Sequence, residues 1–158
     1  MDETYVSVDS RDIVRPSLRG LSRNKRWILV AADGNGGRLA EVGGLGNASR
    51  GEMLPILSGR IAPGSVIVHD FHGLNILPYQ LGATVKYTSS RAELNPANAL
   101  CSQVQRTFAV HPGIVRARIQ GYLDAMISFL GSGMKATEYC IERTFSSGIM
   151  LTRRQVYR

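Results

Sequence analysis

The apolar residues change period once along the chain, near Pro96, and that change bounds the folds open to it. Before Pro96 they fall in short runs divided by turn formers; after it they recur at helical spacing. Arg26-Trp27-Ile28-Leu29-Val30-Ala31-Ala32 is a continuous run ended by Asp33-Gly34-Asn35-Gly36-Gly37, and Arg38 to Val42 alternates and pairs back as a hairpin. Asp2 to Val8, Ser65 to Asp70 and Thr84 to Thr88 predict three further strands. Ser49 with Glu52 forms a capping-box pattern and opens a helix carrying Met53, Leu54, Ile56 and Leu57, with Pro55 in its first turns. Gly73 to Leu81 predicts a short helix closed by Gly82. Beyond Pro96, one stripe runs through Leu100, Val104 and Phe108. A longer one runs from Val115 through Ile119, Leu123 and Met126 to Leu130, after the break at Pro112-Gly113 and before Gly131-Ser132-Gly133. The order predicts an α/β fold, a mixed β-sheet flanked by helices.

Composition narrows the function classes. At 158 residues the chain fits one domain, and 44% hydrophobic against 20% charged residues excludes wholesale disorder. No apolar run reaches the length of a membrane span, and Met1-Asp2-Glu3 is acidic where a signal peptide is basic. Cys101 and Cys140 can form neither a zinc knuckle nor a disulfide framework; as free thiols they fit a reducing cytoplasm and pack as small hydrophobes. The net charge of +7, with every cation except Lys25, Lys86 and Lys135 an arginine, points to an anionic partner, nucleic acid first. Aromatic content of 7% argues against a stacking platform for single strands. The glycines at 34, 36 and 37 lack a following helix and make a hairpin turn, not a phosphate loop.

Three polar residues stand where a packed sheet gains nothing from them. Asp2 lies in the first strand, Asp70 ends the run Val66-Ile67-Val68, and Asn98 opens the first long helix. Carboxylates brought together repel, so such a cluster makes sense around a hard cation, magnesium or manganese, two of which activate a nucleophilic oxygen and stabilise the leaving oxygen of a phosphodiester. Each residue also has a plainer reading: a strand-terminal Asp as turn former or cap, an Asn as a polar residue of a helix start.

Three blocks, Met1-Asp2-Glu3-Thr4-Tyr5-Val6, Gly64 to Asp70 and Leu94 to Ser102, resemble the motif blocks of bacterial insertion-sequence transposases of the ISXO-like group. His111-Pro112-Gly113-Ile114 through Gln120-Gly121-Tyr122-Leu123 is similar to that group's closing turn and helix. The resemblance implies an RNase H-like catalytic domain with a metal triad of the D-D-E or D-D-N type, over residues 1–131, followed by a basic tail over 132–158. Asp2, Asp70 and Asn98 are then the catalytic and metal-binding residues, with Mg or Mn as cofactor. Double-stranded DNA, at transposon ends and target, is the implied partner, and self-association into a homo-oligomer is implied too. The implied setting is the bacterial cytoplasm, and the implied reaction is DNA cleavage and strand transfer. The alternative is a catalytically inactive remnant that binds DNA or protein.

The chain departs from the group's pattern in three ways. The third site residue is an amide, which binds a divalent ion more weakly than a carboxylate, and Glu93 is a competing acid that precedes the expected helix start. Far fewer residues separate Asp70 from Asn98 than Asp2 from Asp70. The DNA-binding region that usually precedes the first block is missing, since Met1 directly precedes Asp2. That implies N-terminal truncation, a first strand without its leading half, and greater stability for a chain extended upstream. Of the other polar residues, Glu3 faces away from Asp2, His69 is expected to pack or hydrogen-bond on the opposite face from Asp70, and His72 lies near the site. Arg11, Arg15, Arg19, Arg23, Lys25 and Arg26 form a basic segment. It reads either as a solvated loop or as a contact for the DNA backbone beside the metal site.

Overall fold

The computed structural model describes residues 1–7, 25–69, 80–110, 114, 116–133 and 135. Over these the chain is a mixed α/β structure with two small sheets and three helices. Strands β1 (Asp2–Ser7), β2 (Lys25–Ala32) and β3 (Arg38–Leu45) form an antiparallel sheet with β2 in the middle, and β4 (Val66–His69) and β5 (Thr84–Tyr87) form a parallel pair. Among the described residues a hydrogen bond joins the two sheets. The Met1 ammonium donates to the Val68 carbonyl at 2.8 Å, setting the start of β1 against β4.

The β2–β3 turn is built by Asp33. Its Oδ1 accepts the Asn35 and Gly37 amides at 2.8 and 2.7 Å while its own amide donates to the Gly37 carbonyl, and Gly36 takes a positive φ. This is the expected hairpin turn. Farther along, the pairing slips between Arg26 and Ile28, and β3 continues to Leu45, past the alternating stretch that predicted it.

Because successive strand side chains point to opposite faces, β2 divides its apolar run between two cores. Ile28 and Val30 join Val6, Ala40, Leu100, Cys101, Val104, Ile119 and Leu123 under helices α2 (Arg91–Ala109) and α3 (Ile119–Ser132). Trp27 and Leu29 join Met53 and Leu57 of helix α1 (Arg50–Leu57) on the other face. The continuous hydrophobic run is what a strand covered on both faces requires.

The helix starts differ in detail from the sequence expectation. At α1 the Ser49 hydroxyl donates to the Glu52 carboxylate at 2.8 Å and caps no backbone amide, so the box closes side chain to side chain. Helix α2 begins at Arg91 and holds Pro96 inside it, ahead of the expected start. Its first turn is largely exposed and carries no apolar stripe, so periodicity cannot see it; Glu93 in that turn complements the helix dipole. A 3-10 turn (Arg116–Arg118) leads into α3, which ends at Gly133 with φ of 65°. The expected helix over 73–81, apart from its last two residues, lies outside the described residues, as does most of the tail over 132–158.

Candidate functional site

Asp2 opens β1 opposite Val30, on the sheet face that α2 covers. It is half-buried, and both carboxylate oxygens are engaged. Oδ1 accepts the Glu3 amide at 2.8 Å, and Oδ2 accepts the Cys101 thiol from α2 at 3.6 Å. Burial first, and the Asp2 charge second, push the Cys101 thiol up to about 12, so it stays protonated and acts as a donor. Two residues along β1 on the same face, the Thr4 hydroxyl accepts the Gln105 amide at 2.9 Å. Two side-chain bonds thus register α2 against β1.

Asn98 lies three residues before Cys101, one helical turn nearer the start of α2, and its side chain is exposed. Asp2 and Asn98 therefore share one region of the β1–α2 packing, while Asp70, which directly follows β4, lies outside the described residues. His69 is buried at the end of β4, as a packing role expects. Glu3 alternates to the other face from Asp2, also as expected.

Glu93 is placed differently from the expectation that it precedes the helix. It sits in the first turn of α2 and accepts Lys86 of β5 at 2.7 Å, and that bond, with a second from Thr88, holds its carboxyl below the usual range. Since Glu93 and Asn98 both belong to α2, the helix start does not separate them. Their partners do: Glu93 is committed to a lysine.

Of the basic segment, Arg11, Arg15, Arg19 and Arg23 lie outside the described residues. Lys25 and Arg26 pair with Ser7 and Val6, at the far end of β1 from Asp2, some 14–17 Å along the strand at ~3.4 Å per residue. These two cations are thus not beside Asp2. Among the described residues no three His, Cys, Asp or Glu side chains gather closely enough to hold a metal ion, and no helix is long and apolar enough to cross a membrane.

The link that sequence reasoning missed is Cys101. It was expected to pack as a small hydrophobe, and it is buried, but its thiol also orients Asp2. Its place on the Leu100–Val104 side of the stripe was the available signal. A cleft of about 1050 Å³ opens beside Met1, between the ends of β2 and β4. No family model, no curated protein and no solved structure matches the chain.

Proposed function

We propose that the chain is an RNase H-like nucleic-acid-processing domain of the insertion-sequence transposase type, cutting DNA phosphodiester bonds with Mg or Mn and joining the ends. The observation that carries it is the Asp2 carboxylate held against α2 one turn from Asn98, on the strand whose start bonds to β4. That bond sets the start of β1 against β4, the strand that Asp70 directly follows in the sequence, which supports the reading. The strand sequence that results, β3-β2-β1 followed by β4-β5 with α2 crossing β1, is consistent with an RNase H-like sheet.

Asp2, Asp70 and Asn98 supply oxygen donors only, which suits a hard divalent ion. Asp2 offers both carboxylate oxygens, each already oriented by one donor, so its geometry is set before any ion arrives. An ion bound there would polarise the scissile phosphate and lower the pKa of an attacking water. Arginines contact the phosphate backbone without reading sequence. The partner is double-stranded DNA, the working form a homo-oligomer, and the compartment the bacterial cytoplasm.

The test is manganese-dependent nicking of supercoiled plasmid by the wild-type chain, compared with Asp2→Asn and Asp70→Ala. Nicking lost in both variants, with their folding unchanged, is the expected result. A second reading, a DNA-binding relative that no longer cuts, is favoured by the Cys101 thiol on Asp2 Oδ2 and by the neutral amide at position 98. Salt-sensitive DNA binding that Asp70→Ala leaves intact, with no nicking by the wild type, decides for the second reading.

A further inference from the structure

Of the cations expected beside the candidate site, the two that are described, Lys25 and Arg26, sit at the far end of β1 from Asp2. Other cations line the cleft. They are Arg38 at the start of β3, Arg60 just past the end of α1, and Lys86 of β5. The cleft also reaches the candidate site, because Met1 and Ala97, the sequence neighbours of Asp2 and Asn98, line it too.

The acids among the described lining residues, Asp33 and Glu93, are already committed. Asp33 builds the β2–β3 turn, where its Oδ1 accepts two backbone amides. Glu93 accepts Lys86 at 2.7 Å, and Arg60 donates to Glu41 at 2.9 Å. The two cations are about half exposed, at 54% for Lys86 and 47% for Arg60, and exposed pairs of this kind hold weakly. A phosphodiester oxygen accepts the same charge-assisted hydrogen bonds as a carboxylate, so it can take either cation in exchange. Arg38 spends one guanidinium nitrogen on the Gly36 and Leu130 carbonyls and has further N–H donors for an anion.

The volume selects the kind of polyanion that enters. A cube of 1050 Å³ is about 10 Å on edge, narrower than the ~12 Å major groove of a DNA duplex. One strand of a few nucleotides fits; a double helix does not. Leu39, Leu57, Ile61 and Ile67 give the cleft an aliphatic lining, and none of the described lining residues is aromatic. Bases therefore lie against it without stacking, and the grip falls on the phosphate backbone, independent of sequence.

We propose that the cleft binds one unpaired strand of DNA and leads it to Asp2, with Arg60 on the α1 side, Lys86 on the β5 side and Arg38 as the phosphate contacts. The preferred ligand is then a duplex with a locally unpaired end, not an intact duplex. DNA as the ligand rests on the nuclease reading, but binding in the cleft does not require that the chain cuts.

Fluorescence anisotropy without divalent metal measures affinity against salt for a labelled single strand, a blunt duplex, and a duplex with an unpaired end. The single strand and the unpaired end are expected to bind the wild-type chain several-fold more tightly than the blunt duplex. Arg60→Gln and Lys86→Gln are each expected to lower the slope of log affinity against log salt by about 0.7, the loss of one phosphate contact on a single strand. Arg60→Lys keeps the slope. So does Arg50→Gln, which removes the same charge from an exposed position outside the cleft. Unchanged thermal midpoints establish that the variants fold. Unchanged slopes in both cleft variants overturn the proposal, as does an equal loss in Arg50→Gln, which assigns binding to diffuse charge. Blunt duplex bound as tightly as the unpaired end, or no DNA bound at all, overturns it as well. Manganese-dependent nicking by the wild type, with cleft variants that bind and nick normally, leaves the nuclease reading standing and sinks the cleft. The expected slopes without any nicking uphold the cleft and sink the cutting.

Discussion

The Cys101 thiol donates to Oδ2 of Asp2 at 3.6 Å, across the packing of α2 on β1. Burial and the Asp2 charge together raise the thiol to about 12 from an ordinary value of 9.0. An unfolded chain releases this proton near pH 9 and the folded chain does not, so above that pH the folded state binds more protons than the unfolded. The associated stability is complete below pH 9 and is lost as pH rises toward 12, with a limiting slope of about 1.4 kcal/mol per pH unit. Urea unfolding in chelator-containing buffer between pH 8 and pH 11, wild type against Cys101→Ala, measures it. The wild-type midpoint is expected to fall more steeply. Tyr5, also raised chiefly by burial, acts in the same direction but cancels in the comparison. Parallel curves would contradict a thiol proton held by the fold.

Gly43 lies against the Trp27 indole in the α1-side core. A Cβ added there runs into the ring, which is fully buried and has no space to retreat. Gly43→Ala is expected to destabilise by about 1–3 kcal/mol, the usual cost of overpacking. Gly34→Ala, in the β2–β3 turn where a Cβ meets nothing, is expected to stay within about 0.5 kcal/mol of wild type. Denaturant midpoints with unchanged m-values check both.

Gln120 of α3 closes the free edge of β3. Its Oε1 accepts the Val42 amide at 2.9 Å and its Nε2 donates to the Ala40 carbonyl at 3.2 Å, so one side chain replaces a missing neighbour strand. Gln120→Leu removes both partners and leaves two partly buried backbone groups unpaired. A loss of about 1–3 kcal/mol is expected, together with faster exchange of the Val42 amide. A stability loss without faster exchange at Val42 would assign the effect to α3 packing instead.

The strands and the β2–β3 turn were largely legible, because Trp27 to Ala32 is apolar on both faces and Asp33 to Gly37 carries its own turn chemistry, but the expected single mixed sheet is two small sheets, since strand patterns do not tell which strands pair. Alternation also placed Asp2 and Glu3 on opposite faces. The start of α2 was not legible: Arg91, Ala92 and Glu93 have no apolar face to bury, and Pro96 looks like a boundary although it sits inside the helix. Nor was the Asp2–Cys101 contact, since alternation tells which face a residue takes and not which helical residue covers it. Lys25 and Arg26 are separated from Asp2 by most of the length of β1.

Asn98 and Glu93 give the sharpest test of the proposed site, because they share a helix but differ in commitment. Glu93 is exposed and bonded to Lys86, while Asn98 lies one turn from the Asp2 contact with its side chain free of any such ion pair. If Asn98 serves the metal, Asn98→Ala lowers manganese-dependent nicking at least as far as the roughly 10-fold loss that even outer-shell partners of a metal produce. Asn98→Asp then preserves nicking and tightens the ion, because a carboxylate replaces a neutral donor, so half-maximal activity falls at lower manganese. Glu93→Gln leaves both the rate and the manganese dependence unchanged, since it breaks only an exposed ion pair. Titrating nicking against manganese for the three variants separates the cases. Loss in Glu93→Gln with Asn98→Ala intact would move the third ligand to the first turn of α2.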